Sequence, residues 1–336
     1  MDRRQFILSS LATSLAAQSS ASNSVLASEQ RQLGVNLIED PSAPFGSDEA
    51  RESLRQIKMA GVQSVAIIPF FWQSHGADPQ LVLGSALPLS RLKQVISDLR
   101  ELGLRVLVKP HVWVPDRWAG SVLMQSHSDW DYWFENYRKA LIEVAQAADD
   151  EGANALCVGT ELRETTYQDN WFDVIEAARS AFTGELTYVA HNSQEALRVP
   201  FWDQLNFVSA SLYPELGRAD SQADWRAAMR LQLDRCTRLA KRHGKPFCIG
   251  EIGLRSATGA TSKPWESAEE RAAEADPQLQ YDVLNEWLHL AETYQVKETL
   301  IWRWISDPNA GGTTDTDFTI QNKPAQRLFN EMQAGS

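Results

Sequence analysis

One repetition constrains this chain more than any other feature. Apolar, β-branched runs alternate with amphipathic helical segments eight times, with no break in composition between them. The runs LGVNLI (33–38), VQSVAIIPFFW (62–72), LRVLVKPHVW (104–113), ANALCVGTEL (153–162), ELTYVAHN (185–192), FVSASLYP (207–214), PFCIGEIG (246–253) and ETLIWRWIS (298–306) read as strands. Helical periodicity fills the gaps near 48–61, 89–103, 128–150, 169–182, 194–204, 221–243, 276–295 and 323–333. In the second of these helices Leu92, Val95, Ile96 and Leu99 recur on one face. Continuous apolar strands alternating with helices imply a parallel sheet covered by helices. An open doubly wound sheet should carry a glycine-rich phosphate turn after its first strand, and Asn36 to Pro44 has none. The expected fold is an α/β protein, a single (β/α)8 TIM barrel.

The chain has 336 residues, 43% of them hydrophobic, which is enough for one large core. Its net charge of -12 argues against a nucleic-acid partner, whose binders show a basic footprint. Residues 1–28 carry Arg3-Arg4, then Phe6-Ile7-Leu8, then small residues up to Val25-Leu26-Ala27. That pattern reads as a twin-arginine export signal, with residues 29–336 as the mature barrel in the periplasm or outside the cell. No other apolar run is long enough to span a bilayer. Cys157, Cys236 and Cys248 match neither a disulfide framework nor a zinc pattern and read as buried thiols. No cofactor or metal is expected, and the chain is expected to act as a monomer.

In this barrel the chemistry sits where strands end. The first strand delivers Asn36 to that rim, the second Trp72, and the third Lys109, His111 and Trp113. The fifth ends on His191-Asn192, the sixth on Tyr213, and the eighth on Trp302 and Trp304. Two strands end on a carboxylate: VGTEL on Glu161 and IGEIG on Glu251. Simple alternation puts Cys157, Gly159 and Glu161 on one inward face, and Phe247, Ile249 and Glu251 on another. Two carboxyls facing each other across the mouth is the arrangement that glycoside hydrolysis needs. One must hold a proton for the leaving oxygen; the other must be ionised to attack or to activate water. The structural alternative makes each glutamate half of a rim ion pair, with Arg163 or Arg255 as partner.

Glutamates closing the fourth and seventh strands resemble clan A of the glycoside hydrolases, which are retaining enzymes. Within the clan, GVNL, LVKPHVW, VGTEL, IGEIG and IWRW look most like glycoside hydrolase family 113, known for β-1,4-mannanases. The likeness runs over residues 33–330. It implies Glu161 as general acid/base and Glu251 as nucleophile, acting on a β-linked polysaccharide or oligosaccharide. Many clan members carry Asn just before the acid/base, where it contacts the sugar 2-hydroxyl; here that position is Thr160.

Tyr213 is placed to donate a hydrogen bond to the nucleophile. Lys109 and His111 are candidates for binding sugar hydroxyls, Asn192 for contacting substrate or starting a helix. Trp302 and Trp304, two apart, are candidate stacking platforms, with Trp72, Trp113 and Trp118 behind them. The polar segment from Arg255 to Asp276 reads either as a loop that shapes subsites, with Trp265 its one aromatic, or as a surface insertion. His111 and His191 sit in no metal-binding motif. A carbohydrate-binding barrel without catalysis and a clan A enzyme of other specificity, on β-glucan, xylan or exopolysaccharide, are the remaining readings.

Overall fold

A computed structural model describes residues 31–115 and 117–334; the expected export signal lies outside them. In chain order the elements are β1 (Gln32–Ile38), α1 (Asp48–Met59), β2 (Ser64–Ile67), β3 (Phe70–Gln73), β4 (Leu81–Leu83), α2 (Leu89–Glu101), β5 (Arg105–Val108) and β6 (His111–Trp113). They continue with α3 (His127–Asp150), β7 (Ala155–Thr160), α4 (Asn170–Ala181), β8 (Glu185–His191), α5 (Asn192–Ala196) and β9 (Val208–Ser211). The last are α6 (Gln222–Arg242), β10 (Phe247–Ile252), α7 (Pro277–Thr293), β11 (Glu298–Ile305) and α8 (Leu328–Ala334). Parallel pairing closes eight of the strands in the order β1-β11-β10-β9-β8-β7-β5-β2. The fold is a (β/α)8 barrel, as the alternation of patterns predicts. Among the described residues no helix is long and apolar enough to cross a membrane.

Two expected strands are divided. The runs at 62–72 and 104–113 each contain one proline, Pro69 and Pro110, which cannot donate to a ladder. Each run leaves the barrel there, and its continuation joins a separate sheet of order β4-β3-β6. The barrel strands β2 and β5 are therefore only four residues long.

Two apolar layers result. Ala66, Leu107, Ala155, Cys157, Val189, Cys248 and Leu300 fill the barrel itself. Their neighbours along the strands, such as Val65, Val106, Leu156, Leu186, Phe247 and Ile249, pack outward against the helices. All three cysteines are buried free thiols.

Simple alternation fails where it mattered most. In β7, Cys157 is level with Thr187 and Thr160 with Val189, so one extra residue is inserted. Gly159 faces outward: a Cβ there would meet Trp171 at 2.6 Å and Tyr188 at 2.9 Å. In β10, Ile249 is level with Ala210 and Glu251 with Ser211, which makes Gly250 the inserted residue. Phe247 and Ile249 belong to the outer layer, so they do not share the inward face expected for Glu251. These bulges re-aim the strand ends, a common device beside active sites.

Candidate active site

The cleft at the C-terminal ends of the strands has a volume of about 1010 Å³ and contains both glutamates, Glu161 and Glu251, in its wall. Each is only 8% exposed. How each is delivered and held differs.

Glu251 owes its aim to the bulge at Gly250. A side chain at that position would meet Ser209 Oγ at 2.7 Å and the Val189 methyls at 2.8 Å, so only glycine fits. The bulge carbonyl, Gly250 O, faces Asn36 Nδ2 at 3.4 Å and Lys109 Nζ at 3.3 Å. Lys109 also donates to Glu251 Oε2 at 2.7 Å, and Tyr213 Oη donates to Oε1 at 2.8 Å. Burial, then the charge and hydrogen bond of Glu251, push the Tyr213 phenol well above its ordinary range, so it stays a neutral donor. An ammonium and a phenol on the two oxygens both stabilise negative charge on this carboxylate.

Glu161 follows β7 directly and lies in the left-handed region, at φ 55°. That conformation costs a non-glycine residue about 1–3 kcal/mol and persists only where the surroundings impose it. Here its N–H is tied to Val189 O at 2.8 Å. Trp118 Nε1 donates to Glu161 Oε2 at 2.8 Å, and His191 Nδ1 lies 3.2 Å from Oε1. The Trp118 ring lies against both His191, with centroids 4.4 Å apart, and the Arg163 guanidinium at 5.2 Å. Burial pushes the Glu161 carboxyl up, but the His191 hydrogen bond, the charges of His191 and His111, and the Trp118 N–H outweigh it and leave the group below its usual range. Burial pulls His191 down, and its contacts with Glu161 win, so the imidazole is raised. The two groups shift in opposite directions because each favours the charged form of the other.

Behind this pair sits Glu195, 1% exposed. It accepts from Tyr188 Oη and from the His191 N–H, each at 2.6 Å. Tyr188 Oη accepts in turn from Leu162 N at 2.8 Å. Glu195 thus braces the backbone on both sides of the Glu161–His191 contact. Burial pushes it up to about 7, against the hydrogen bonds from Tyr188 and His191.

The rim ion-pair alternative does not describe this site. Arg163 pairs with Glu164 at 2.7 Å, and Arg255 lies 3.7 Å from Glu266. Trp113, His191, Asn192, Tyr213 and Trp302 line the cleft as the strand-end reading expects. Asn192 also starts α5, its Oδ1 accepting from Gln194 N at 2.7 Å. His111 lies in β6, close enough for its charge to act on Glu161.

Four expected substrate contacts need correction, and a fifth, Trp72, lies outside the cleft. Trp304 is fully buried, its Nε1 donating to Ser53 Oγ on α1 at 2.9 Å. A register shift sets Asn36 level with Trp302 and Leu37 with Trp304, so the two indoles do not share a face. Thr160 is 1% exposed and donates to Pro110 O at 2.9 Å, so its hydroxyl is not offered to a sugar. Asn36 and Lys109 are both 0% exposed and act on β10 from beneath. Trp72 stands on β3, outside the cleft lining.

Other wall residues had no sequence signal strong enough to name them. Arg303 pairs with Asp317 and stacks 5.8 Å from the Trp302 centroid; strict alternation would have sent it outward. Asp317 and Phe318 come from the aperiodic stretch after β11, and Gln232 from a helix whose pattern marks only its buried face. The segment from Arg255 to Asp276 is pinned rather than loose. Arg255 is buried, Glu266 takes both Arg255 and Arg271, and Ala257 bridges to Ala275. Trp265, Ser267, Glu269 and Glu270 of this segment line the cleft. Among the described residues no group of three or more His, Cys, Asp or Glu is disposed to hold a metal ion.

The family model for Glycoside Hydrolase Family 113 matches residues 39–323. No curated protein sequence matches the chain. Among solved structures, the chain resembles the GH113 β-mannanase AaManA from Alicyclobacillus acidocaldarius, at 22% identity and TM-score 0.80, over 91% of this chain and 98% of that one. It also resembles a GH113 β-1,4-mannanase at 24% identity and TM-score 0.81, over 91% and 99%. A β-glucuronidase from Ruminococcus gnavus shares the fold more distantly, at 12% identity and TM-score 0.61, over 90% and 50%.

Proposed function

Because the chain belongs to glycoside hydrolase family 113, we propose that it is a retaining, mannanase-like hydrolase of β-1,4-linked polysaccharide, with Glu251 as nucleophile and Glu161 as acid/base. One observation carries the role assignment: two carboxylates share a cleft, one held by an ammonium and a phenol, the other lying against a histidine. Lys109 and Tyr213 each donate to one oxygen of Glu251 and hold it in the cleft wall. His191 Nδ1 lies 3.2 Å from Glu161 Oε1, and this contact raises the imidazole.

In the first step a Glu251 oxygen bonds to the anomeric carbon as the glycosidic C–O bond breaks. Glu161 delivers a proton to the leaving oxygen. In the second step Glu161, now a carboxylate, takes a proton from water. The water oxygen bonds to the anomeric carbon, and the ester to Glu251 breaks. Two inversions give net retention. Trp302, Trp113 and Trp265 are flat walls for sugar faces. Thr160 does not supply a 2-hydroxyl contact, so discrimination at that carbon falls to groups that reach into the cleft, such as Asn192.

Proton NMR of the first product released from a β-1,4-manno-oligosaccharide tests the mechanism. The β-anomer is expected before mutarotation, and an initial α-anomer overturns it. Hydrolysis of mannan, set against β-glucan and xylan, tests the sugar. Export rests on Arg3-Arg4 and the small-residue stretch to Ala27. Replacing both arginines by Lys should keep the protein in the cytoplasm of the native host.

A further inference from the structure

The side sheet β4-β3-β6 has two unlike faces. Phe71, Gln73 and Val112 are buried on one of them. The Phe71 ring meets Tyr137 of α3 at 5.5 Å, and Gln73 Oε1 accepts from Trp133 Nε1 at 2.8 Å, which fixes the register of β3 against that helix. On the other face Phe70 and His111 lie half-buried, ring to ring at 6.2 Å. One step further along the strands stand Trp72 and Trp113, level with each other, and Val82 level with Trp72. Val82 is 51% exposed, Trp72 40% and Trp113 48%. The two indole centroids are 5.9 Å apart. Gly84 lets Trp72 lie flat, because a Cβ there would come within 2.3 Å of the indole Nε1.

The result is an exposed apolar row, one side chain wide, crossing three strands. With about 4.8 Å between strands the row is roughly 10 Å long. Its inner end, Trp113, is also a wall of the catalytic cleft. A narrow ridge of flat rings that continues a cleft suits an extended chain of apolar-faced rings better than it suits a protein surface, whose contacts are broad patches.

We infer that Trp113, Trp72 and Val82 form a remote sugar-binding strip that takes the part of a β-linked polysaccharide lying beyond the cleft. This rests on the hydrolase reading above and adds to it a preference for long chains. Pyranose rings stack through their C–H faces, so the strip binds uncharged sugar residues with little regard to hydroxyl configuration, whereas the cleft does the discriminating.

The test measures kcat/KM for wild type, Trp72→Ala and Trp72→Phe on manno-oligosaccharides of rising length and on soluble mannan. The loss in Trp72→Ala should grow with chain length, reaching about tenfold on mannan, and should appear in KM rather than kcat. Trp72→Phe, which keeps a flat ring, should recover most of it. A loss that is equal at every length, or no loss at all, overturns the strip while leaving the hydrolase standing. Affinity electrophoresis of Glu251→Gln with and without Trp72→Ala, in gels containing mannan, β-glucan or xylan, reads binding without turnover. Retardation that depends on Trp72 in any of these gels supports the strip even if mannan is not cleaved. Retardation independent of Trp72 in every gel, or self-association lost on Trp72→Ala with retardation unchanged, overturns it.

Discussion

A cation stands at each end of β5, and the two do different work. Arg105 opens the strand at the base of the barrel, where it lies against Glu185 and 3.4 Å from Glu298. Ser64 adds a hydroxyl to Glu298, and Lys297 lies 3.3 Å from Glu185. These groups come from β2, β5, β8 and the start of β11, and they use one another up. Lys109 follows the other end of the strand and meets Glu251, whose second oxygen takes Tyr213. There the network stops short, because Glu251 also faces a cleft. Similar ion pairing is architectural at the base and chemical at the mouth; what differs is whether a carboxylate keeps a side open to a ligand.

The contrast predicts opposite phenotypes. Glu251→Gln should lower kcat/KM on the order of 10⁵-fold, the scale of losing a nucleophile, with the unfolding midpoint little changed. Arg105→Met should do the reverse. It leaves Glu298, 2% exposed, without its main counter-charge and should cost about 4 kcal/mol in denaturant unfolding, with kcat of the folded enzyme within about twofold. Comparable activity losses in the two variants would erase the distinction. Lys109→Met tests the mouth's own cation. The expected loss is about 10²-fold in kcat/KM, the scale of removing one oriented charged donor. Its stability cost should be smaller than that of Arg105→Met, because the cleft lets water reach Glu251.

Much of this contrast was legible in the sequence. The alternation of strand and helix patterns forced the barrel, and glutamates at corresponding strand ends marked its mouth. What the pattern could not carry was local irregularity. Strict two-residue alternation placed Gly159 inward and paired Trp302 with Trp304, yet one inserted residue in β7 and a register shift against β11 reversed both. Likewise Pro69 and Pro110 announced that their strands would break, but not that the broken ends would pair into a second sheet. Trp118 and Glu195 reach the site from a loop and a five-residue helix, elements too short to show any periodicity.

Glu195 gives the finest test of the comparison. The carboxylates at the base have cations against them, whereas Glu195, buried like Glu298, is braced by a phenol and a backbone N–H instead. Its surroundings are otherwise the Glu161 charge, which raises it, and the His191 charge, which lowers it. Burial dominates, and the group holds its proton up to about pH 7, above its ordinary value of 4.5. Between those two values the folded protein binds a proton that the unfolded chain has released. Stability therefore falls as pH rises through this window and is level above it. His191, also raised in the folded state, contributes stability that fades in the same direction as pH rises, so wild type alone cannot separate the two. Glu195→Gln can. It removes the carboxyl's share and should shrink the stability difference between about pH 5 and pH 8 by about 2 kcal/mol, measured by urea unfolding at both values. An undiminished difference in the variant would mean that burial without a cation does not hold the proton on Glu195, and so does not set the mouth apart.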